Sequence, residues 1–348
     1  MILVLRRGST PEQVKYAEDC LKEVGLEPHT LYGVERTVIA AIGNERVISS
    51  EQLASIPGVE TVLPILAPYK LASREVSPEP SAFEIGGTDC EVKPVANKVV
   101  FGGKFIPVIA GPCSVESRSQ IIEVAHAVKE AGASALRAGA FKPRTSPYQF
   151  QGLAEEGLEY LAEAREATGL PVVTEVLTPG DVPLVAKYAD CLQVGTRNMQ
   201  NFLLLRACGA IKTPVLLKRG MSATLEEYLL AAEYILTGGN RRVLLCERGI
   251  RTFEQYVRNT FALAIIPALK EKTHLPVLAD PSHGTGVRSL VPAMTKASIA
   301  CGADGILIEV HPNPEKALTD GAQSLSVKEF AKLIKECRLV AEAVGRTM

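Results

Sequence analysis

Residues 171–220 read PVVTEVLTPGDVPLVAKYADCLQVGTRNMQNFLLLRACGAIKTPVLLKRG, and three short apolar runs in them, PVVTEVL, CLQVGTR and PVLLKRG, decide the fold. Each run is continuously hydrophobic rather than alternating, the mark of a strand buried on both faces, and each closes on a polar or charged residue. The pattern extends in both directions. Further runs begin at Ile106, Ser134, Arg242, Pro276 and Gly305, which makes eight in about 240 residues. Helical stretches separate them, among them Gly152 to Thr168, Leu225 to Leu236, Ser289 to Ala300 and a last one from Val327 to Val344. Eight βα units of this size predict a closed parallel (β/α)8 barrel. A doubly wound sheet is the alternative, but the one candidate dinucleotide loop, GTGVRS from Gly284, lacks its third glycine and follows the seventh strand.

Ahead of the barrel lies a different pattern. Residues 1–70 give a strand (Ile2 to Leu5) and a helix with Val14, Ala17, Leu21 and Val24 on one face. Strand-like runs follow at Thr30 to Tyr32 and Thr37 to Ile42, then a short helix from Ser50 and a strand from Glu60 to Leu66. The order βαββαβ predicts a small α+β domain of the ferredoxin-like type. Residues 71–97 turn rich in Ser, Pro, Glu and Gly and read as a linker. The barrel domain is then 98–348, opening on an expected hairpin around Gly102-Gly103.

Composition narrows the function. Thirty-eight basic against 39 acidic residues give a net charge of −1, which offers nothing to nucleic acid or an anionic membrane. The apolar run Phe261 to Leu269 is too short to span a bilayer, is broken by Pro267, and reads as a buried helix segment. The start, MILVLRRG, lacks the apolar core of an export signal, and eight scattered cysteines without CxxC spacing suit a reducing cytoplasm.

The ends of the barrel strands carry the chemistry. Cys113, His283 and Glu309 end the first, seventh and eighth strands, with Asp320 in the loop beyond, and these strands become neighbours when the barrel closes. Singly, each has an ordinary reading as a core thiol, a capping histidine or a solvated acid. Together they form a mixed sulfur, nitrogen and oxygen set that suits manganese, iron, cobalt, zinc or copper. His311, two residues after Glu309, is a rival ligand. The other strands end in cations: Arg137 with Lys142 and Arg144, then Arg197, Lys218 with Arg219, and Arg248. Glu175 and Glu247 are the main acids to offset them. Such a crowd of cations predicts a multiply charged ligand, more than one phosphate or a phosphate with a carboxylate. Surface pairing with acids of neighbouring helices is the ordinary alternative, and it suits Arg219 best and Arg137 least.

Seven phrases carry a resemblance: IAGPCSVES (Ile109 to Ser117), LRAGAFKPRTSPYQFQG (Leu136 to Gly152), GTRNMQNF (Gly195 to Phe202), LLKRGMSATLEEY (Leu216 to Tyr228), LCERGIRTFE (Leu245 to Glu254), ADPSHGTG (Ala279 to Gly286) and IEVHPNPEKALTDGAQSL (Ile308 to Leu325). They resemble the type I beta 3-deoxy-D-arabino-heptulosonate 7-phosphate (DAHP) synthases that carry an N-terminal ferredoxin-like domain. The resemblance implies a metal-dependent condensation of phosphoenolpyruvate with erythrose 4-phosphate and water, releasing phosphate, at the entrance to aromatic amino-acid synthesis. It implies a metal held by Cys113, His283, Glu309 and Asp320, and phosphoenolpyruvate gripped by Arg137, Lys142, Arg197, Lys218 and Arg248. Arg144 and Thr145 would hold the sugar phosphate, and Lys142 would serve as proton donor. It further implies a cytoplasmic homotetramer inhibited by tyrosine or phenylalanine through the first domain. Thr196 and Met199 depart from the family pattern without changing a charge. Three rivals stand beside this reading: 3-deoxy-D-manno-octulosonate 8-phosphate synthase, which usually has an Asn-containing segment where this chain has KPRTS from Lys142; a Schiff-base aldolase using Lys218, its pKa lowered by Arg219; and a non-catalytic amino-acid sensor.

Overall fold

A computed structural model describes residues 1–63, 68–87, 92–95, 97–144 and 146–348, with every side chain among them except that of residue 46. The chain forms two compact units, Met1–Glu79 and Pro80–Met348. The division falls inside the stretch expected to be linker.

In the first unit, β1 (Ile2–Leu5), β2 (Glu27–Tyr32), β3 (Thr37–Ile42) and β4 (Val59–Leu63) form one antiparallel sheet in the order β2-β3-β1-β4, the ferredoxin-like arrangement. The helix Pro11–Glu23 starts where the sequence punctuates it: Thr10 and Gln13 form a reciprocal capping box, and Pro11 occupies the first turn. Its Val14, Ala17 and Leu21 are buried with Leu3, Leu5, Ile39 and Leu53. β2 begins three residues before the expected Thr30 and runs through Pro28, which a sheet tolerates because β2 is an edge strand. The expected last strand is described as Val59–Leu63, and residues 64–66 lie outside the described residues.

In the second unit, β5 (Phe83–Ile85) pairs antiparallel with β6 (Val99–Phe101), register Phe83↔Phe101. This corrects the hairpin expected around Gly102-Gly103. Gly102 has φ 89° and its α-carbon faces the Ser81 carbonyl, where a Cβ would come within 2.1 Å, so the chain turns away there and Phe105 bridges Thr347 instead. Eight parallel strands then close a barrel: β7 (Val108–Gly111), β8 (Ala135–Arg137), β9 (Val172–Val176), β10 (Cys191–Val194), β11 (Val215–Lys218), β12 (Val243–Glu247), β13 (Val277–Ala279) and β14 (Gly305–Glu309). Closure is the β14–β7 pairing, Glu309 opposite Gly111. Every residue of these strands is buried, as continuous apolar runs require. The helices Ala154–Thr168, Leu225–Thr237, Val291–Ala300 and Val327–Ala343 lie within two residues of their expected ends; the helix segment expected within Phe261 to Leu269 is found at Ile265–Lys272 with Ile266 and Leu269 buried, and Pro267 sits in its first turn, where no helical hydrogen bond is lost, rather than breaking it.

Candidate active site

The C-terminal ends of the strands deliver the functional side chains. Arg137, Lys218, Glu247 and Glu309 are the last residues of β8, β11, β12 and β14. Cys113 follows β7 by two residues, and His283 lies in the short helix Pro281–Thr285 after β13. Asp280 caps that helix by accepting the His283 N–H at 3.0 Å.

Cys113, Glu309 and Asp320 bring one ligand atom each within 4.8 Å of one another, close enough to share an ion. The Cys113 thiol donates to Asp320 Oδ2 at 3.3 Å. His283 turns Nε2 toward the same place, 3.4 Å from Glu309 Oε1 and 3.7 Å from Asp320 Oδ2. Its Nδ1 stands 2.8 Å from Asp280 Oδ2, a contact without hydrogen-bond alignment. Burial, then Glu309, push the Cys113 thiol up to about 12. Burial also works to raise the Asp320 and Glu309 carboxyls, but His283 with Arg258 at the first and with Arg137 at the second outweigh it and hold both below the usual carboxylate range. A thiol that resists ionisation beside two carboxylates and an imidazole is a set of donors short of a cation, and a divalent metal fits it. His311 settles its own case: Nε2 stands 3.3 Å from Glu116 Oε2 and Nδ1 accepts from the Asn313 N–H, so it belongs to a neighbouring loop contact.

Beside these groups opens a cavity of about 350 Å³, the size of a small-molecule site. Its wall carries eight lysines and arginines against two carboxylates, Glu175 and Asp320. Arg137, Lys142, Arg144, Arg197, Lys218 and Arg248 all line it, whereas Thr145 lies outside the described residues. Three buried cations have partners that the sequence reading passed over or paired differently. Arg137 Nη1 meets Glu309 Oε1 at 2.6 Å, so its acid comes from a barrel strand and not from a helix; Lys218 Nζ meets Asp280 Oδ2 at 2.6 Å. Arg219 is held by Glu247 at 2.9 Å and by the Ala223 carbonyl, and it does not line the cavity. Lys142 donates to the Cys113 carbonyl at 3.0 Å. Arg248, 5% exposed, reaches only the Gly249 carbonyl at 3.5 Å among the described contacts, and burial depresses its pKa. Met199, a departure from the family pattern, is buried and accepts the Gly220 N–H on its sulfur at 2.9 Å, tying the loop after β10 to the loop after β11.

Arg251, Arg258 and Asn259 also line the cavity and escaped the sequence reading. They lie in the long segment after β12, Arg251 four residues past its end and Arg258 and Asn259 further on, where periodicity gives no signal.

An eight-stranded barrel with a cation-lined cavity beside a sulfur, imidazole and carboxylate cluster has the architecture of an enzyme of the (β/α)8 class. Comparison with known proteins carries this further. Residues 90–343 match the model of the DAHP synthetase I family, and residues 1–67 match the DAHP synthase ferredoxin-like domain. The chain is 48% identical to a phospho-2-dehydro-3-deoxyheptonate aldolase of Thermotoga maritima, over 99% of both chains. A 2-dehydro-3-deoxyphosphooctonate aldolase of Nitratidesulfovibrio vulgaris is 34% identical over 66% of this chain and 89% of its own. The crystal structure of the Thermotoga maritima DAHP synthase superimposes with a TM-score of 0.77 over 99% of this chain and 98% of the other. The chain belongs to the DAHP synthetase I family, carries the family's ferredoxin-like domain ahead of the barrel, and is an enzyme of the DAHP synthase class.

Proposed function

We propose that the enzyme condenses phosphoenolpyruvate with D-erythrose 4-phosphate and water to give DAHP and phosphate, and that it does so with a divalent metal ion. The observation that carries this reading is the imbalance of eight cations against two carboxylates on one cavity wall, directly beside Cys113, His283, Glu309 and Asp320. Those four residues would hold the metal, which when bound supplies Lewis-acid polarisation of the sugar aldehyde.

The remaining roles belong to the chain. Arg137, Lys142, Arg197, Lys218 and Arg248 hold the phosphate and carboxylate of phosphoenolpyruvate; Arg144 and Thr145 hold the far phosphate of the sugar. The enol carbon forms a bond to the aldehyde carbon, water adds at the adjacent carbon, and the phosphate leaves with its bridging oxygen. Lys142, raised above its ordinary pKa because Cys113 and Glu175 outweigh the penalty of burial, would be the ammonium that protonates the nascent hydroxyl. The ion pairs of Lys218 with Asp280 and of Arg219 with Glu247 favour this reading over a Schiff-base aldolase.

The ferredoxin-like domain, in this reading, binds tyrosine or phenylalanine and inhibits a cytoplasmic homotetramer. Among the described residues no helix is long and apolar enough to cross a membrane. Phosphate release with phosphoenolpyruvate and either erythrose 4-phosphate or arabinose 5-phosphate tests the assignment. Turnover with the four-carbon sugar is expected; turnover with arabinose 5-phosphate alone would move the chain to the octulosonate branch. Millimolar tyrosine or phenylalanine should slow the rate, and an unchanged rate with both would end the regulatory part.

A further inference from the structure

Two polar side chains touch the carboxylates of the proposed metal centre from outside and have no role so far. Gln323, 2% exposed, donates from Nε2 to Glu309 Oε2 at 2.7 Å, and its Oε1 accepts from Arg258 Nη1 at 2.9 Å. Chemistry fixes which way round the amide lies. A guanidinium only donates and a carboxylate only accepts, so the oxygen must face Arg258 and the nitrogen Glu309. Arg258 also reaches Asp320 Oδ1 at 3.3 Å. The same guanidinium therefore touches one ligand carboxylate directly and the other through Gln323.

The backbone is shaped to allow this. Asp320 has φ 50°, a left-handed backbone conformation uncommon for a non-glycine residue, and the turn is held by the Gln323 N–H and the Ser324 hydroxyl, both donating to the Asp320 carbonyl. Arg258 donates its backbone N–H to the Thr285 carbonyl at 2.8 Å. Its Cβ lies where a side chain on Gly286 would begin, 2.3 Å from the ideal Cβ position, and Gly286 has φ 69°. Glycine at 286 thus lets Arg258 approach the loop that carries Asp320. Glu309 is held on both oxygens, by Arg137 on Oε1 and Gln323 on Oε2, and each oxygen keeps a lone pair that a metal ion shared with Cys113 and Asp320 could take.

We propose that Arg258 and Gln323 are positioning residues of the metal centre, a hydrogen-bonded brace that fixes the orientation of Glu309 and Asp320. The proposal rests on the reading of Cys113, His283, Glu309 and Asp320 as metal ligands. Partners of this kind typically set metal affinity by about 10–100-fold when removed.

The test uses the full chain and cadmium as the probe, read by the ultraviolet charge-transfer band of a cadmium thiolate and by competition with a chelator. Gln323→Met should weaken cadmium binding about 10–100-fold, Arg258→Met should weaken it in the same direction, and Arg258→Lys, which keeps one donor, should recover part of the loss. Arg258 is the more exposed of the two, so its variants remain informative if Gln323→Met fails to fold. Cadmium affinity within about twofold of the parent in the variants that fold would overturn the proposal, as would a drop only in the melting temperature of metal-free protein. A Cys113→Ser variant that still gave the charge-transfer band would instead remove the metal reading on which the proposal rests.

Discussion

The two ends of the barrel are built by the same eight strands to opposite specifications. Where the strands begin, Phe101 from the β5–β6 pair lies against Gly305, the first residue of β14, 3.0 Å from where a Cβ would stand, and packs in one apolar cluster with Ile109, Ala135, Leu216, Leu244, Leu278 and Leu307. Where they finish, Arg137, Lys218, Glu247 and Glu309 are buried as charges. Burying a charge is costly unless it is paired, and three of the cations have carboxylates within 3 Å. Arg248 has none among the described contacts. The floor of the barrel thus contributes stability, and the mouth spends part of it on buried charges that, in the proposed reading, await a ligand.

The contrast can be broken by ranking substitutions by their effect on unfolding. Phe101→Ala should cost about 3–5 kcal/mol in urea unfolding, with the kcat/KM of the folded fraction unchanged. An equal loss of activity and stability would contradict the division of labour. Lys218→Met comes next: it strands Asp280 in the interior and should cost about 3 kcal/mol while abolishing turnover. Adding Asp280→Asn should restore stability but no activity. Ser326→Ala removes the capping box of the helix Val327–Ala343 and should cost about 1 kcal/mol with activity intact. Arg248→Met sharpens the comparison most, because removing an unpaired buried cation should leave the melting temperature unchanged or raised while turnover falls about 1000-fold or more, roughly 4 kcal/mol of transition-state binding. A lower melting temperature would mean that Arg248 has a structural partner after all.

How far the sequence can be read follows the same boundary. β7 to β14 were legible because burial on both faces writes itself as continuous apolar runs, and the cations at their ends stood out against those runs. Partners across the barrel were not legible. Asp280 and Lys218 are 62 residues apart, and Arg137 and Glu309 are 172 apart, with nothing in either local pattern to announce the pairing. Gln323 lies within the family-like stretch Ile308 to Leu325, but only the position of Arg258, beside Gly286, shows what its amide does. The hairpin failed for a local reason: two glycines suggest a turn, whereas Gly102 serves a close approach to Ser81. His311 looked like a ligand on spacing alone, and Glu116 from a distant loop claims it.

The central claim is that the charges at the mouth serve a metal-assisted reaction between two phosphorylated substrates. Chelator-treated enzyme, supplied with phosphoenolpyruvate and erythrose 4-phosphate and assayed for phosphate release before and after addition of manganese, tests it most directly. The account predicts no turnover before the metal and full turnover after it; phosphate release that proceeds at the same rate in the chelated enzyme would contradict it.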